Sequence, residues 1–211
     1  RIQAMLLGSA IHALGGESAP VLENVRRGGT LYVSKLGDNS DGSSWSKAFT
    51  TIQAALDAIP DEEGGHCVII RPDTYMEAML APAFKGAPGA YNALIGDRDG
   101  RYGAGTTGHV VIDSGDPGTG FKSYDWWGPM RANQQGWSPA HTAPTFSCII
   151  WDRWVFRNLY MTGGDGGLFW DATDHVKPFT VIVEDCIGIG RAFGGGVANC
   201  VSRPASPITF R

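Results

Sequence analysis

Long apolar runs, charge and cysteine are all scarce in this chain of 211 residues, and each shortage excludes a class of protein. No stretch approaches the roughly 18 consecutive apolar residues that a membrane-spanning helix needs, so we expect no membrane span. The 17 basic and 21 acidic residues leave a net charge of −4. That charge is too mild to favour a nucleic acid or an acidic membrane surface as a partner, and we expect neither.

The four cysteines are too few for a disulfide scaffold, and none has the CxxC or Cys/His spacing of a zinc site. We interpret them as small buried apolar side chains. A disulfide between Cys186 and Cys200 is the alternative for that pair.

Glycine and proline, by contrast, are abundant. With 30 glycines and 12 prolines they fill about a fifth of the chain, while 43% of the residues are hydrophobic. This combination is typical of one folded domain with many tight turns. Residues 1–28 contain a short apolar stretch, which is either the remnant of a signal peptide or an amphipathic helix.

One internal segment has the periodicity of a helix. The apolar positions at i, i+3, i+4 and i+7 are Ile52, Ala55, Leu56 and Ile59. The pattern predicts a helix from Thr51 to Ile59, with Thr50 at its capping position and Pro60 after its end.

After this helix, short apolar segments alternate with turns of glycine, aspartate and proline, a pattern that predicts strands. The predicted strands are Cys67–Ile70, Ala93–Ile95, His109–Ile112, Trp154–Phe156, Leu159–Met161, Thr180–Val183 and Ile208–Phe210. The wide spacings from Ile69 to Val111 and from Val111 to Val155 predict two loop insertions.

The last strands repeat at a constant separation. Phe156, Val183 and Phe210 lie 27 residues apart, with no helix between them. Such a period is typical of one coil of a parallel β solenoid, and the three apolar side chains would stack inward.

The next residue of each strand, Arg157, Glu184 and Arg211, would stack outward about 4.8 Å apart. The alternating charges predict a cross-strand ion-pair ladder, and a substrate-binding stripe that includes Arg157 is the functional alternative. Asn158 and Asp185 fall where each strand must bend, and both residue types tolerate the left-handed conformation.

Three segments together resemble a known family. They are Gly29–Trp45 with its Gly/Asp/Ser turn, the helical Ala48–Ala58, and Val68–Tyr75. Their order is similar to the N-terminal cap of the pectate-lyase-like right-handed parallel β-helix superfamily, although that family usually has glycine where this chain has Asp73. The resemblance implies an all-β, right-handed parallel β-helix over residues 29–211, capped at its N-terminus by the helix.

That superfamily includes polysaccharide lyases, glycoside hydrolases, pectin methylesterases, phage tailspikes and non-catalytic surface modules, so its fold alone does not select a reaction. Its lyases use an Arg or Lys base, with Ca²⁺ to neutralise the substrate acid, whereas hydrolases need two or three carboxylates. The resemblance therefore implies a secreted or cell-envelope protein with a polysaccharide partner and Ca²⁺ as a candidate cofactor.

The segment Asp165–Lys177 concentrates titratable side chains between two coils. Asp171 and Asp174 offer hard oxygen ligands for Ca²⁺. Lys177 or His175 is the candidate base, and Asp174 is also a catalytic candidate. The alternative is an exposed turn whose histidine bonds the backbone.

The second insertion is rich in aromatic residues that could stack on sugar rings. These candidate substrate-binding residues are Tyr124, Trp126, Trp127 and Trp137. The alternative is that they form the small core that a long insertion needs.

Three weaker patterns are interpreted as scaffold. Residues Asp38–Gly42 lack the distant glutamate of an EF-hand loop and read as a turn of the cap. The histidines His66, His109 and His141 stand singly and are interpreted as structural. The Gly163–Gly164 and Gly194–Gly196 runs are interpreted as corners between strands.

Two functional hypotheses follow. The chain is a carbohydrate-active enzyme, a lyase or hydrolase acting on an acidic polysaccharide, or it is a non-catalytic surface or adhesion module that binds glycans or assembles with itself. Because the last predicted strand, Ile208–Phe210, has no element after it to cover the final coil, we expect a longer protein or a covering partner at that end.

Overall fold

The computed structural model describes residues 26–78, 80–114, 152–163 and 181–189 in full. For residues 146–149, 166–171, 193–198 and 208–210 it describes the backbone alone. The predictions for Cys148, Cys200, His141 and Arg211 concern side chains outside this description.

The described residues form an all-β fold with one short helix. The elements are β1 (Thr30–Val33), α1 (Ile52–Asp57), β2 (Cys67–Ile70), β3 (Asp73–Tyr75), β4 (Asn92–Gly96), β5 (Val110–Asp113), β6 (Phe146–Ile149), β7 (Trp154–Arg157), β8 (Leu159–Thr162), β9 (Gly166–Asp171), β10 (Val181–Glu184), β11 (Ile187–Gly188), β12 (Phe193–Ala198) and β13 (Ile208–Phe210). No helix in these ranges is long and apolar enough to cross a membrane.

The strands lie in three sheets, and every pairing between them is parallel. The first sheet has the order β1-β2-β4-β7-β10-β13, the second β3-β5-β8-β11, and the third β6-β9-β12. From β4 to β13 the chain visits the first, second and third sheets in strict rotation. Each new strand therefore lies beside the strand that the chain laid down one pass earlier.

The predicted 27-residue register is confirmed. In the first sheet Val183 of β10 pairs with Phe156 of β7 on one side and with Phe210 of β13 on the other. Phe156 is 1% and Val183 is 6% exposed, so both side chains point inward as expected.

One core lies between the first and second sheets. Because successive side chains of a strand point to opposite faces, alternate residues of each strand reach this core. The members from the first sheet include Val33, Val68, Ile70, Leu94, Trp154, Phe156, Val181 and Val183, and those from the second sheet include Tyr75, Val110, Ile112, Leu159 and Met161.

Helix α1 adds its apolar face to this core, against β1 and β2. Its N-cap is Thr51, whose Oγ1 accepts a hydrogen bond from the Ala54 N–H at 3.3 Å. The prediction of Thr50 as the cap was wrong, because Thr50 instead donates its N–H and hydroxyl to Oδ1 of Asn39 in the preceding turn. The helix also ends earlier than predicted, although Ile59 beyond it is still buried.

The predicted bends at Asn158 and Asp185 are confirmed. Asn158 has φ of 56° and Asp185 has φ of 50°, both in the left-handed region. The Nδ2 atom of Asn158 also donates to the Gly96 carbonyl of the previous pass at 3.4 Å. These residues therefore turn the chain from the first sheet into the second, and Asn158 satisfies a backbone group of its neighbour.

The two predicted insertions were placed on a wrong alignment. Ile69 of β2 pairs with Ile95 of β4, whereas Val111 belongs to β5 in the second sheet. The pass from β2 to β4 therefore has nearly the regular length, and in the first sheet the extra residues lie between β4 and β7.

Two segments predicted as loops are strands. Gly166–Asp171, part of the candidate loop Asp165–Lys177, forms β9 in the third sheet. Gly194–Gly196, interpreted as a corner, lies inside β12, which pairs with β9. Glycine is a poor strand former by itself, so the pairing with a neighbouring strand overrides the local preference here.

Candidate functional site

Arg157 is the one predicted site residue whose side chain the structure describes. Asp171 is the last residue of β9, and its backbone pairs with Ala198 of β12. The remaining predicted site residues lie outside the described residues: Tyr124, Trp126, Trp127, Trp137, Asp174, His175 and Lys177. Whether these side chains converge on one groove therefore stays a prediction.

Arg157 lies on the outer face of the first sheet and forms an ion pair with Glu184 of the next strand. Its Nε atom donates to Oε2 of Glu184 at 2.7 Å, and its terminal nitrogen Nη2 contacts the same oxygen. The two side chains are 26% and 16% exposed. Burial opposes the charge of Arg157, but the hydrogen bond and the charge of Glu184 raise its pKa. This is one pair of the predicted ion-pair ladder, whose third member, Arg211, lies outside the described residues.

A loop at residues 97–108, which we call the covering loop, is anchored by the buried Asp97. Its two carboxylate oxygens accept the backbone N–H groups of Tyr102 and Ala104, each at 2.9 Å. Arg71 adds a hydrogen bond from Nε to the Ala104 carbonyl. A side chain that accepts two backbone donors of its own loop fixes the shape of that loop.

The covering loop meets the outer face of the first sheet through Tyr102. Its carbonyl accepts a hydrogen bond from Nε1 of Trp45 at 2.9 Å. Burial raises the pKa of Tyr102 most, Cys67 raises it further, and Arg157 lowers it. Ile69 and Ile95, on this same outer face, are each only 4% exposed. Arg157 therefore lies on a face that is partly covered by protein.

Cys67 and Cys186 are free thiols and half-buried. Burial raises the pKa of each to about 11, so both are protonated at neutral pH. The Sγ atom of Cys186 lies 3.2 Å from the Glu184 carbonyl, which fits a weak hydrogen bond from the thiol. Neither thiol therefore has the thiolate character of a nucleophile. The alternative of a Cys186–Cys200 disulfide stays a prediction, because Cys200 lies outside the described residues.

A second polar cluster surrounds His66, which is 3% exposed. Nδ1 of His66 accepts the Gly29 N–H at 3.1 Å, so its proton lies on Nε2 and is donated to Oδ1 of Asp61 at 2.9 Å. Arg26 contacts Asp61 at 3.1 Å and Glu63 at 3.0 Å.

The pKa of Asp61 falls to about 2. The hydrogen bond from His66 lowers it most, burial opposes this change, and the hydrogen bond from Arg26 lowers it further. Since both nitrogens of His66 are engaged within the protein, this histidine ties β1 to the turn before β2. The structural interpretation of His66 is confirmed.

The carboxylates of the Asp38–Gly42 turn are also engaged within the protein. Oδ1 of Asp38 accepts from the N–H of Ser40, and Oδ1 of Asp41 accepts from the N–H of Ser43. Asp41 also pairs with Lys47 at 2.9 Å. Across the described ranges, no group of three or more His, Cys, Asp or Glu residues could hold a metal ion. The interpretation of this segment as a turn fits these contacts.

The outer face of the second sheet carries a feature that the sequence analysis missed. His109 and Tyr160 meet there edge to face, with ring centroids 6.0 Å apart and an interplanar angle of 71°. Tyr160 pairs with Val111 on one side and with Ile187 on the other. Strand alternation alone places Tyr160 and Val111 outward, but only the register between β5 and β8 shows that His109 and Tyr160 are neighbours.

Comparison of this chain with protein-family models, with curated proteins and with solved structures found no match. The fold defines an all-β protein of parallel sheets. Its function is therefore argued from the residues and their chemistry.

Proposed function

We propose that the three sheets are the faces of a right-handed parallel β-helix of the pectate-lyase-like type. The strict rotation of the chain among three parallel sheets supports this proposal. So do the left-handed residues Asn158 and Asp185 at equivalent bends. The order of β1, the Trp45 turn, α1, β2 and β3 also matches the cap that the resemblance implies.

The proposed activity is that of a secreted or cell-envelope protein that binds and cleaves an acidic polysaccharide. The observation that carries it is Arg157, a charged and partly exposed guanidinium held in a fixed orientation on the outer face of a sheet. A guanidinium presents a planar set of N–H donors that suits a uronate carboxylate. Arg157 would hold the sugar acid while groups on neighbouring passes act on the chain.

Cleavage is assigned to the segment that begins with β9. In a lyase, Lys177 or His175 would take the proton from the carbon beside the carboxyl group, a carbon–carbon double bond would form, and the leaving sugar oxygen would gain a proton. Asp171 and Asp174 are the proposed ligands of Ca²⁺, which would neutralise the substrate acid. In a hydrolase, Asp171 and Asp174 would instead flank the scissile bond.

The test is an assay of the full chain on a panel of acidic polysaccharides with and without added Ca²⁺. Unsaturated uronide products, detected by their ultraviolet absorbance, would identify a lyase, and new reducing ends without that absorbance would identify a hydrolase. The Lys177→Ala and Asp174→Asn variants should lose the activity, and Lys85→Ala, an exposed change at a residue that has no proposed role in the site, should keep it. If no polysaccharide of the panel yields a product, the proposed activity is overturned.

A non-catalytic surface module is the second candidate, and the Arg157–Glu184 pair favours it. Glu184 neutralises the guanidinium, as expected for a ladder that only stabilises neighbouring strands. The last strand of the second sheet, β11, contains Ile187, and Ile189 follows it. Their side chains are 43% and 51% exposed, which suits self-association or a covering partner at that edge. Glycan binding or concentration-dependent assembly without any cleavage product would support this candidate, whereas a chain that is monomeric at all concentrations and binds no glycan would oppose it.

A further inference from the structure

The first and second sheets each have a terminal strand from the early part of the chain, β1 and β3. A terminal strand presents unpaired backbone N–H and C=O groups, to which a strand of another chain can pair. The edge of β1 is occupied by the turn before α1. Tyr32 donates its N–H to the Gly42 carbonyl at 2.8 Å, and its own carbonyl accepts the N–H of Phe49 at 3.0 Å. Backbone of the same chain therefore closes the edge of β1.

The edge of β3 is closed by side chains instead. Strand β3 runs over Asp73–Tyr75, and among the described strands β5 is its one neighbour. The middle residue, Thr74, bonds to side chains with both of its backbone groups. Its N–H donates to Oδ1 of Asp73 at 2.7 Å, and its carbonyl accepts a hydrogen bond from Nζ of Lys35. Because these two groups bond to side chains and not to β5, they face the free edge of the strand.

Lys35 lies across this edge and is held there by three contacts. Besides the Thr74 carbonyl, its Nζ atom is 3.1 Å from Oδ1 of Asp73 and 5.5 Å from the centre of the Tyr75 ring. The same Oδ1 atom accepts the Thr74 N–H, so Asp73 links the two blocked backbone groups. A charged side chain on an edge strand, lysine above all, is one of the ways in which sheets prevent strand addition.

Asp73 is also the position at which the resembled family usually has glycine. A glycine there would leave the Thr74 N–H without this acceptor and Lys35 without this counter-ion. The side chains of Lys35 and Asp73 are 45% and 36% exposed, and an ion pair so exposed adds little to the stability of a fold. The aspartate therefore fits a role at the strand edge better than a role in stability.

An open β3 edge would be complementary to itself. In an antiparallel pair of strands, two residues directly opposite each other exchange both of their N–H···O bonds. Thr74 could therefore face Thr74 of a second copy across a two-fold axis, the commonest symmetry of protein oligomers. Met76, directly after β3, is 53% exposed and would add apolar contact beside this pair.

We propose that Lys35 and Asp73 together close the β3 edge against a second copy of this chain, which would otherwise pair there through its own β3. The proposal is independent of the cleavage of polysaccharide. It concerns the end of the second sheet opposite to β11, so it is also separate from association through Ile187 and Ile189.

The test measures self-association of the full chain by sedimentation velocity over a range of concentrations. The double variant Lys35→Ala/Asp73→Ala opens both backbone groups of Thr74 and leaves the net charge unchanged. It should form a dimer at least about tenfold more tightly than the parent, because the dimer gains two backbone hydrogen bonds. Asp41→Ala/Lys47→Ala is the matched control, since it also removes an exposed ion pair, 2.9 Å long, without changing the net charge. This control should associate as the parent does.

A third change locates the contact. Proline at position 74 removes the N–H that a second strand would bond, and edge strands tolerate proline where that N–H faces outward. Thr74→Pro, added to the double variant, should therefore return association to the level of the parent. If the double variant does not fold, Lys35→Ala alone opens the Thr74 carbonyl and should still associate more tightly than the parent. The proposal is overturned if the folded variants associate no more tightly than the parent and the control, or if Thr74→Pro leaves the added association unchanged.

Discussion

The Nε atom of Arg157 donates a hydrogen bond to Oε2 of Glu184 at 2.7 Å across two neighbouring parallel strands. Both side chains are less than a third exposed, so water screens the pair only in part. Such a pair stabilises the fold mainly because each partner would otherwise be a poorly solvated charge.

We expect Glu184→Ala to lower the free energy of unfolding by about 1–2 kcal/mol, because it leaves the Arg157 charge half-buried without its acceptor. Urea unfolding followed by circular dichroism measures this loss. In the double variant Arg157→Ala/Glu184→Ala, the total loss should be smaller than the sum of the two single losses. Strictly additive losses would show that the two side chains do not interact in solution.

The bend at Asn158 gives a second prediction. Asn158 has φ of 56°, in the left-handed region. This conformation costs most residues roughly 1 kcal/mol but costs glycine almost nothing. Asn158→Ala should therefore destabilise the protein by about 1–2 kcal/mol, while Asn158→Gly should cost less, since the side-chain hydrogen bond to Gly96 is long. Thermal unfolding of both variants checks the order, and a glycine variant less stable than the alanine variant would contradict it.

The repeat was predictable because its residues are close in sequence and regular in spacing. Phe156 and Val183 lie in strands of β-branched and aromatic residues, and a 27-residue shift superimposes them with their polar successors. Helix α1 was predictable for the same reason, since its apolar period is local. The cap at Thr51 was not, because the competing acceptor for Thr50 comes from Asn39, whose position depends on a turn.

The third sheet was not predictable from local pattern. β12 contains three successive glycines, which carry no side-chain alternation, and it is a strand because β9 lies beside it. The placement of Val111 failed for a related reason: a short apolar strand does not encode which sheet it joins. The tyrosine–histidine contact on the second sheet depends on that same placement, so it too emerged only from the register between β5 and β8.

The pH dependence of stability should reflect Asp61. Its pKa in the folded protein, about 2, lies below the ordinary value of 3.8. A carboxyl group with a lowered folded pKa adds stability that is full above the ordinary value and is lost as the pH falls toward the folded value. Asp61→Asn should therefore lose less stability than the parent between pH 3.8 and pH 2.

The measurement is urea unfolding of both proteins at several pH values across that range. Asp38→Asn changes a different aspartate, which lies in the turn before α1. This variant is a matched control and should follow the parent curve more closely. An Asp61→Asn curve parallel to that of the parent would contradict the lowered pKa.

The N-terminus of α1 gives the last prediction. Two backbone donors at the start of the helix, the N–H groups of Ile52 and Gln53, are accepted by the carboxylate of Glu77 at 2.7 and 3.0 Å. Because Glu77 follows β3, this contact joins the helix to the second sheet. Burial raises the pKa of Glu77, and the two hydrogen bonds lower it only in part. Ionising this carboxyl group therefore costs some free energy.

Glu77→Ala should lower the free energy of unfolding by about 1–3 kcal/mol, because two helix donors lose their acceptor inside the protein. Thr51→Ala removes only the single bond to Ala54 and should cost about 1 kcal/mol or less. Glu77→Gln keeps one acceptor oxygen and should fall between the parent and Glu77→Ala. Chemical denaturation of the three variants gives the ranking, and a Thr51→Ala loss larger than that of Glu77→Ala would show that the local cap, and not the contact from β3, holds the helix in place.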